Sequence, residues 1–242
     1  MEFFLWFIIQ WFWMGFGITA FYHRKLTHRG FDCPKWLEYF FVTGAYLSMQ
    51  GAPIPWIYVH KLHHRHSDTY KDPHTPYKGF FYSLLKWIWS NRDLYTEEQI
   101  NKEMKDLIKD PYYRFLGVGR FPAKPWLNLG SCILYRLLIL LLFGKVAFLA
   151  SMLAWIMVFF APQFVNTFCH LPCFGYKNYK TKDHSVNVWW VALLSFGEGW
   201  HENHHFYPRA AKHGRKWWEF DITWVFIKLL ERLKIVKNVR RF

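Results

Sequence analysis

Thirteen histidines occur in the 242-residue sequence, and most gather in three runs: His23-Arg-Lys-Leu-Thr-His28, His60-Lys-Leu-His63-His64-Arg-His66 and His201-Glu-Asn-His204-His205. Neutral imidazole is the commonest metal ligand among side chains. On a helix, positions i, i+3 and i+4 lie within about 60° of one face. His60, His63 and His64 can therefore converge, as can His201, His204 and His205. The i, i+5 spacing of His23 and His28 sets their rings about 140° apart on a regular α-helix, so they share a site only where the helix ends or bends. A single histidine of this kind is ordinarily a hydrogen-bonded polar residue at a membrane rim. Eight in three clusters are not explained that way, and eight imidazoles exceed what one ordinary ion can hold, which implies two ions. Zinc, copper, nickel and iron all accept imidazole, and ligand type alone does not choose among them.

The segments that must position these runs are apolar. The chain is 52% hydrophobic and 22% aromatic, with 25 Phe, 15 Trp and 14 Tyr. That excludes a disordered tail or a disulfide miniprotein, and it is more aromatic surface than a soluble core of this size uses. Phe3 to Tyr22 carries no charge and, at about 1.5 Å per residue, is long enough to cross about 30 Å of hydrocarbon. No basic stretch precedes it and no Ala-x-Ala site follows, so it reads as structure rather than as a signal peptide. Trp126 to His170 is about twice a span and breaks at Phe143-Gly144-Lys145. The expectation is one domain over residues 1–242 with three spans, about 3–22, 126–143 and 146–165. A helical cap of residues 23–125 and 166–242 completes an all-α membrane protein.

The formal net charge is +14, from 31 Lys plus Arg against 17 Asp plus Glu. The positive-inside rule places the basic cap, including Arg209 to Phe242, on the cytoplasmic side. Such a face suits anionic lipid headgroups and acidic protein partners rather than nucleic acid. Cys33, Cys132, Cys169 and Cys173 form neither a CxxC pair nor a paired framework and read as free thiols. Trp36 to Met49 is apolar but too short to span, and Gly51 to Pro55 ends it. Thr96 followed by Gln99 is a capping box for a solvated helix to about Lys109, stopped by Asp110-Pro111. Trp217 to Lys237 has the spacing of an amphipathic interfacial helix. Arg136 falls inside the second span with no partner evident in the sequence.

The boxes HRKLTH, HKLHH and HENHH occur in that order, with Gly17-Ile18-Thr19 before the first, Ser67-Asp68-Thr69 and Asp72-Pro73-His74 after the second, and Gly197-Glu198-Gly199-Trp200 before the third. In this the chain resembles the membrane fatty acid desaturases of the delta-9 acyl-CoA and acyl-lipid type along nearly its whole length. The resemblance implies an integral, multi-pass protein of a bacterial inner membrane or the endoplasmic reticulum, with its active site at the cytoplasmic ends of the helices. It implies a non-haem di-iron centre of two Fe ions held by His23, His28, His60, His63, His64, His201, His204 and His205. Asn166 and His170 match a further pair in the family, which makes His170 a ninth ligand and brings Asn166 to the metal through water. Asp68, Asp72, Glu198 and Glu202 are the natural partners of the ligands' second ring nitrogens, and His74 of the Asp-Pro-His motif is expected behind the ligands rather than among them.

An alkyl methylene has no acidic proton and no leaving group, so acid–base or nucleophilic groups alone do not activate it. The family's reaction uses O2 and two electrons to place a cis double bond in a long-chain fatty acyl substrate carried by CoA or lipid. No flavin, dinucleotide or haem motif is present, so the electrons come from a small carrier, ferredoxin or cytochrome b5 by resemblance. Alignment to the family sets Trp11 and Gly15 at the closed end of a bent acyl tunnel and Gln50 and Trp56 near its bend. The family ordinarily has four spans against the three expected here. Thr-Trp is usual where Pro162-Gln163 stands, and Asn where His184 stands. A hydroxylase or ketolase of the same histidine-box superfamily is the nearest rival. A metal transporter would instead need its histidines at mid-membrane depth.

Overall fold

The computed structural model describes residues 1–242, the side chain of Arg92 apart, and it is helical throughout. Among the described residues the only β contacts are isolated bridges, Asp32 with Lys237, Tyr176 with Asn187 and Asn187 with Trp200. The helices that frame the site are α1 (Glu2–Phe16), α2 (Lys35–Leu47), α3 (Pro53–His66), α4 (Glu97–Glu103), α5 (Pro125–Phe168), α6 (Trp189–Leu194), α7 (His201–Phe206) and α8 (Ile222–Arg232).

Two helical runs are long and apolar enough to cross a membrane, Glu2–Thr27 and Pro125–Phe168. The first begins as α1 and continues without interruption into a π-helix over Gly17–Thr27. The second leaves helical geometry at Gly144, whose φ of 83° and ψ of −178° suit a residue without Cβ. The chain folds back there: Arg136 lies 4.9 Å from the Trp155 ring, whereas a straight helix would separate the two by about 28 Å. α1 runs antiparallel to the first half of α5, with Trp6 on Phe143 and Trp13 on Tyr135, and Tyr135 donates to Gln10 at 2.5 Å. The N-terminus and the turn at Gly144 thus lie at one end of the bundle, and the histidine-bearing segments at the other. α2 crosses α1 closely enough that a Cβ on Gly17 would sit 2.4 Å from the Phe41 carbonyl oxygen.

Arg136 finds its partners in backbone rather than in a carboxylate. Its guanidinium donates to the Leu47 carbonyl at 3.2 Å and to the Cys132 carbonyl at 2.9 Å. Leu47 ends α2, so the cation meets the negative pole of a helix and the face of an indole. Pro162 interrupts the second half of α5 and supplies no N–H to the Val158 carbonyl. The Gln50 side-chain amide donates there instead, at 3.2 Å, and Gln163 donates to Phe159 at 3.3 Å.

The Thr96–Gln99 capping box is present, but α4 stops at Glu103 and Lys105–Ile108 forms a separate turn after Met104. Asp110 then caps a new short helix at Pro111, as its side chain accepts from the Tyr112 N–H. The expected amphipathic helix over Trp217–Lys237 is shorter, Ile222–Arg232. The backbone before it is held in turns, because the Glu219 carboxylate accepts from the Arg215 and Lys216 N–H groups. α8 buries Thr223, Ile227 and Leu230 and stacks Phe226 on Phe16 at 4.0 Å. Val225, Leu229 and Leu233 remain exposed. All four cysteines are free.

Candidate metal centre

The first box is brought together where the helix ends, as its spacing required, and by the winding of that end: His28 is the C-cap of the π-helix Gly17–Thr27. In a π-helix the N–H of residue i+5 bonds to the carbonyl of residue i, and the His28 N–H reaches the His23 carbonyl at 3.2 Å. That pitch stacks i over i+5, so the spacing that separates two rings on an α-helix aligns them here. The second box occupies the last turns of α3, the third forms α7, and His170 follows the C-cap Cys169 of α5.

Nine imidazoles meet in two groups, His23, His28, His60, His64 and His204 in one and His63, His170, His201 and His205 in the other. Within the first, Nε2 atoms are separated by 3.0 Å for His23 and His204, 3.1 Å for His60 and His28, 3.0 Å for His64 and His60 and 2.9 Å for His64 and His204. Within the second, the separations are 3.2 Å for His63 and His205 and 3.0 Å for His201 with each of His170 and His205. A metal–imidazole bond of about 2.1 Å places adjacent nitrogens at a right angle about 3 Å apart. Burial opposes charge on His28, His60, His64, His201, His204 and His205 and pushes their pKa values well below the imidazole range. These rings are neutral, with lone pairs free for a cation. Burial opposes charge on His170 too, but the hydrogen bond and charge of Asp68 outweigh it and raise its pKa. A bound cation would displace that proton. The donor set fits transition-metal ions.

Carboxylates fix which nitrogen faces inward. His63 Nδ1 lies 3.0 Å from Asp72, His170 Nδ1 3.0 Å from Asp68, and His23 Nδ1 contacts Glu198. A ring that donates from Nδ1 presents its Nε2 lone pair to the centre. His74 belongs to neither group; its ring packs 4.3 Å from His63, and its backbone N–H donates to Asp72. Glu202 corrects the sequence reading. It accepts from the Asn178 and Tyr179 N–H groups and from Asn187 and touches no ligand ring, because its place next to His201 on α7 turns it about 100° away.

Asp183 does what was expected of Glu202, lying 2.6 Å from His205 Nδ1. It sits in a basic loop distant in sequence from any box, and no spacing announces it. Burial raises the carboxyl pKa values of Asp68, Asp72, Asp183 and Glu198, but neighbouring rings and hydrogen-bond donors, with Arg24 for Glu198, outweigh it and leave all four below the ordinary range. Outer partners of this kind typically account for about 10–100-fold in metal affinity. Asp183→Ala is accordingly expected to weaken metal retention by about that factor in a competitive chelator titration, with helical content unchanged. Retention equal to the parent would show that the Asp183 contact is incidental. His213 was also missed; it is buried, 4.5 Å from the His204 ring and 3.5 Å from Glu198.

A narrow cleft opens onto the rings, lined by Ile18, Trp56, Pro162 and Val165 together with His23, His60 and His201. Asn166 lines it as well. Trp56 stacks on His60, with centroids 5.3 Å apart and planes 13° from parallel. A second, small space adjoins past Trp56, lined by Gln50, Trp87, Gln163 and Asn166. Trp11 and Gly15 line neither. Both lie against Phe196, whose ring is 4.6 Å from that of Trp11 and whose Cζ would be 2.2 Å from a Cβ on Gly15.

Comparison with known proteins adds to this geometry. A fatty acid desaturase family profile matches residues 2–228. The chain is 40% identical over 237 residues to an sn-1 stearoyl-lipid 9-desaturase of Anabaena variabilis, covering 96% of this chain and 82% of that protein. It is 38% identical over 242 residues to a probable chloroplastic lipid desaturase of Arabidopsis thaliana, covering 93% of this chain. An acyl-CoA 5-desaturase of Anemone leveillei is 40% identical over 227 residues, covering 93% of this chain and 67% of that protein. The chain spans 60% of the length of the Arabidopsis relative.

Proposed function

Because the chain belongs to the fatty acid desaturase family, we propose that it is a membrane di-iron desaturase that introduces a cis double bond at the delta-9 position of a saturated long-chain acyl group, using O2 and two electrons. The observation that carries this reading is the apolar cleft ending on two converging groups of imidazoles. His23, His28, His60, His64 and His204 would hold one iron, and His63, His170, His201 and His205 the other, with Asn166 reaching it through water. Bound there, the irons would activate O2 with the two electrons supplied and so furnish the oxidising power toward an unactivated methylene that no side chain provides.

The chain's own residues orient and seal. Asp68, Asp72, Asp183 and Glu198 hold four rings in one tautomer. Trp56, Ile18 and Val165 keep water from the acyl chain and set it beside His60 and His201. In this reading α1 with its π-helical extension and the two halves of α5 make three crossings, and the cap faces the cytoplasm. The net charge of +14 gives the cap a field that steers an acidic electron carrier such as ferredoxin or cytochrome b5.

Fatty acid methyl esters from a host expressing the chain test the proposal. A new cis-9 monoene absent from the empty-vector control is expected. A hydroxy or oxo fatty acid without a monoene would overturn the reaction type and favour oxygen insertion.

A further inference from the structure

We propose that the acyl chain enters the cleft sideways from within the bilayer, between the second half of α5 and α6, and so arrives still esterified to a membrane glycerolipid. The proposal rests on the desaturase reading and goes beyond it by naming the carrier and the route. A groove of about 180 Å³ runs along the outside of α5, formed by Ile156, Met157, Phe160 and Phe164 with Leu194 of α6. Residues 156, 160 and 164, four apart, lie along one helix face. Its rim is open, with Ile156 45%, Leu193 48% and Leu194 38% exposed.

The groove and the cleft share a thin wall. Ala161, which is buried, lines both, and Leu194 of the groove is followed directly by Ser195 of the cleft. Ala161 is the smallest side chain on this stretch of α5, flanked by Phe160 on the groove side and Pro162 on the cleft side. A hydrocarbon chain passing from the groove would part the wall at that methyl, its smallest side chain, to reach Val165 and His201 on the cleft side.

Depth decides what can use such an opening. Ala161 precedes His170 by two and a half turns, which sets it about 13 Å along the helix from the end that carries the histidines. With the histidines at the lip of a hydrocarbon layer about 30 Å thick, the opening lies inside that layer. A soluble carrier would have to thread its acyl tail in from the histidine end. A chain already dissolved in the membrane is at the right depth, and the groove offers it apolar walls throughout. The two relatives named for different carriers, stearoyl-lipid and acyl-CoA, are equally similar to this chain at 40% identity, so similarity does not decide the carrier and the geometry is what bears on it.

The test uses the full metal-loaded chain in phosphatidylcholine vesicles that contain a glycerolipid whose stearoyl chain bears a photoreactive diazirine at mid-chain. Adducts are expected on Met157 and Leu194 in the groove and on Ile18 and Val165 in the cleft, in clear excess over the exposed Leu141 and Leu142 near the turn of α5. Leu194→Trp, which fills the junction, is expected to reduce the cleft adducts at least fivefold, while Leu194→Ala keeps or raises them. If the tryptophan variant does not fold, Met157→Trp asks the same question from the α5 side. Cleft adducts unchanged by either tryptophan, or labelling no denser in the groove than at Leu141, would overturn the entrance. In parallel, turnover of stearoyl-glycerolipid is compared with that of stearoyl-CoA added to the aqueous phase. Monoene from the lipid supports the proposal, and monoene from the CoA ester alone overturns it while leaving the desaturase reading intact. Monoene from neither carrier, with electrons supplied, counts against the desaturase reading, and the adduct pattern still judges the entrance.

Discussion

Alanine at His204 is expected to remove the new monoene from the host's lipids altogether, a loss of at least about 100-fold, and to lower the metal content of the purified protein. Outer partners of metal ligands already account for about 10–100-fold, and His204 stands nearer the centre than any of them. Its Nε2 is 3.0 Å from that of His23 and 2.9 Å from that of His64, so this one ring joins all three boxes. It is fully buried, and truncation would leave a void among the rings that converge on it. The measurements are gas chromatography of methyl esters and metal analysis on the same preparation, with circular dichroism to show that the helices persist. A monoene yield equal to the parent's would dissolve the five-imidazole group as a functional unit.

Arg24→Met is expected to cost about 3–5 kcal/mol of stability, which for a chain of this size lowers the melting temperature by roughly 6–20 °C. Arg24 is fully buried beside the first box. It donates to Glu198 from Nε at 3.0 Å and from Nη2 at 2.8 Å, to Asp221 at 2.9 and 3.0 Å, and to the Ala211 carbonyl at 2.7 Å. Removing the cation leaves two buried carboxylates without the charge that balances them, the expensive way to break such a network. Glu198 also holds His23 Nδ1, so metal retention should fall together with stability. Tryptophan fluorescence melting in detergent reads the first effect and chelator titration the second. A melting temperature within about 2 °C of the parent would mean that the network carries little of the fold.

Much of this was legible in the residues because histidine is uncommon and its spacing carries geometric meaning. The i, i+3, i+4 pattern of the second and third boxes describes the helix faces that α3 and α7 present. Gly144 marked the reversal of α5 for a simple reason, since an apolar run of that length has to turn somewhere and glycine is where turning is cheap. What could not be read falls into two physical kinds. Long-range pairing was one: Asp183 meets His205, and Arg24 meets Asp221, across stretches of chain with no periodic relation. The other was backbone as partner. Arg136 looked stranded because its acceptors are carbonyl oxygens, which every residue has and no motif reveals. Glu202 was misread by nearness in sequence, which on a helix points neighbours in different directions.

The wide winding of Gly17–Thr27 ties together two parts of the molecule that seem to have separate tasks. It decides whether His23 and His28 share a face, and it also sets the rotational phase of everything upstream, including Gln10 and Trp13 where they grip Tyr135. A replacement at one of its buried positions that touches no ligand, Ala20 for instance, would by tightening the coil to ordinary pitch turn both ends out of alignment together. Loss of metal would then trace back to a residue packed away from the rings, so mutational scans of the anchoring helix deserve to be read alongside those of the boxes.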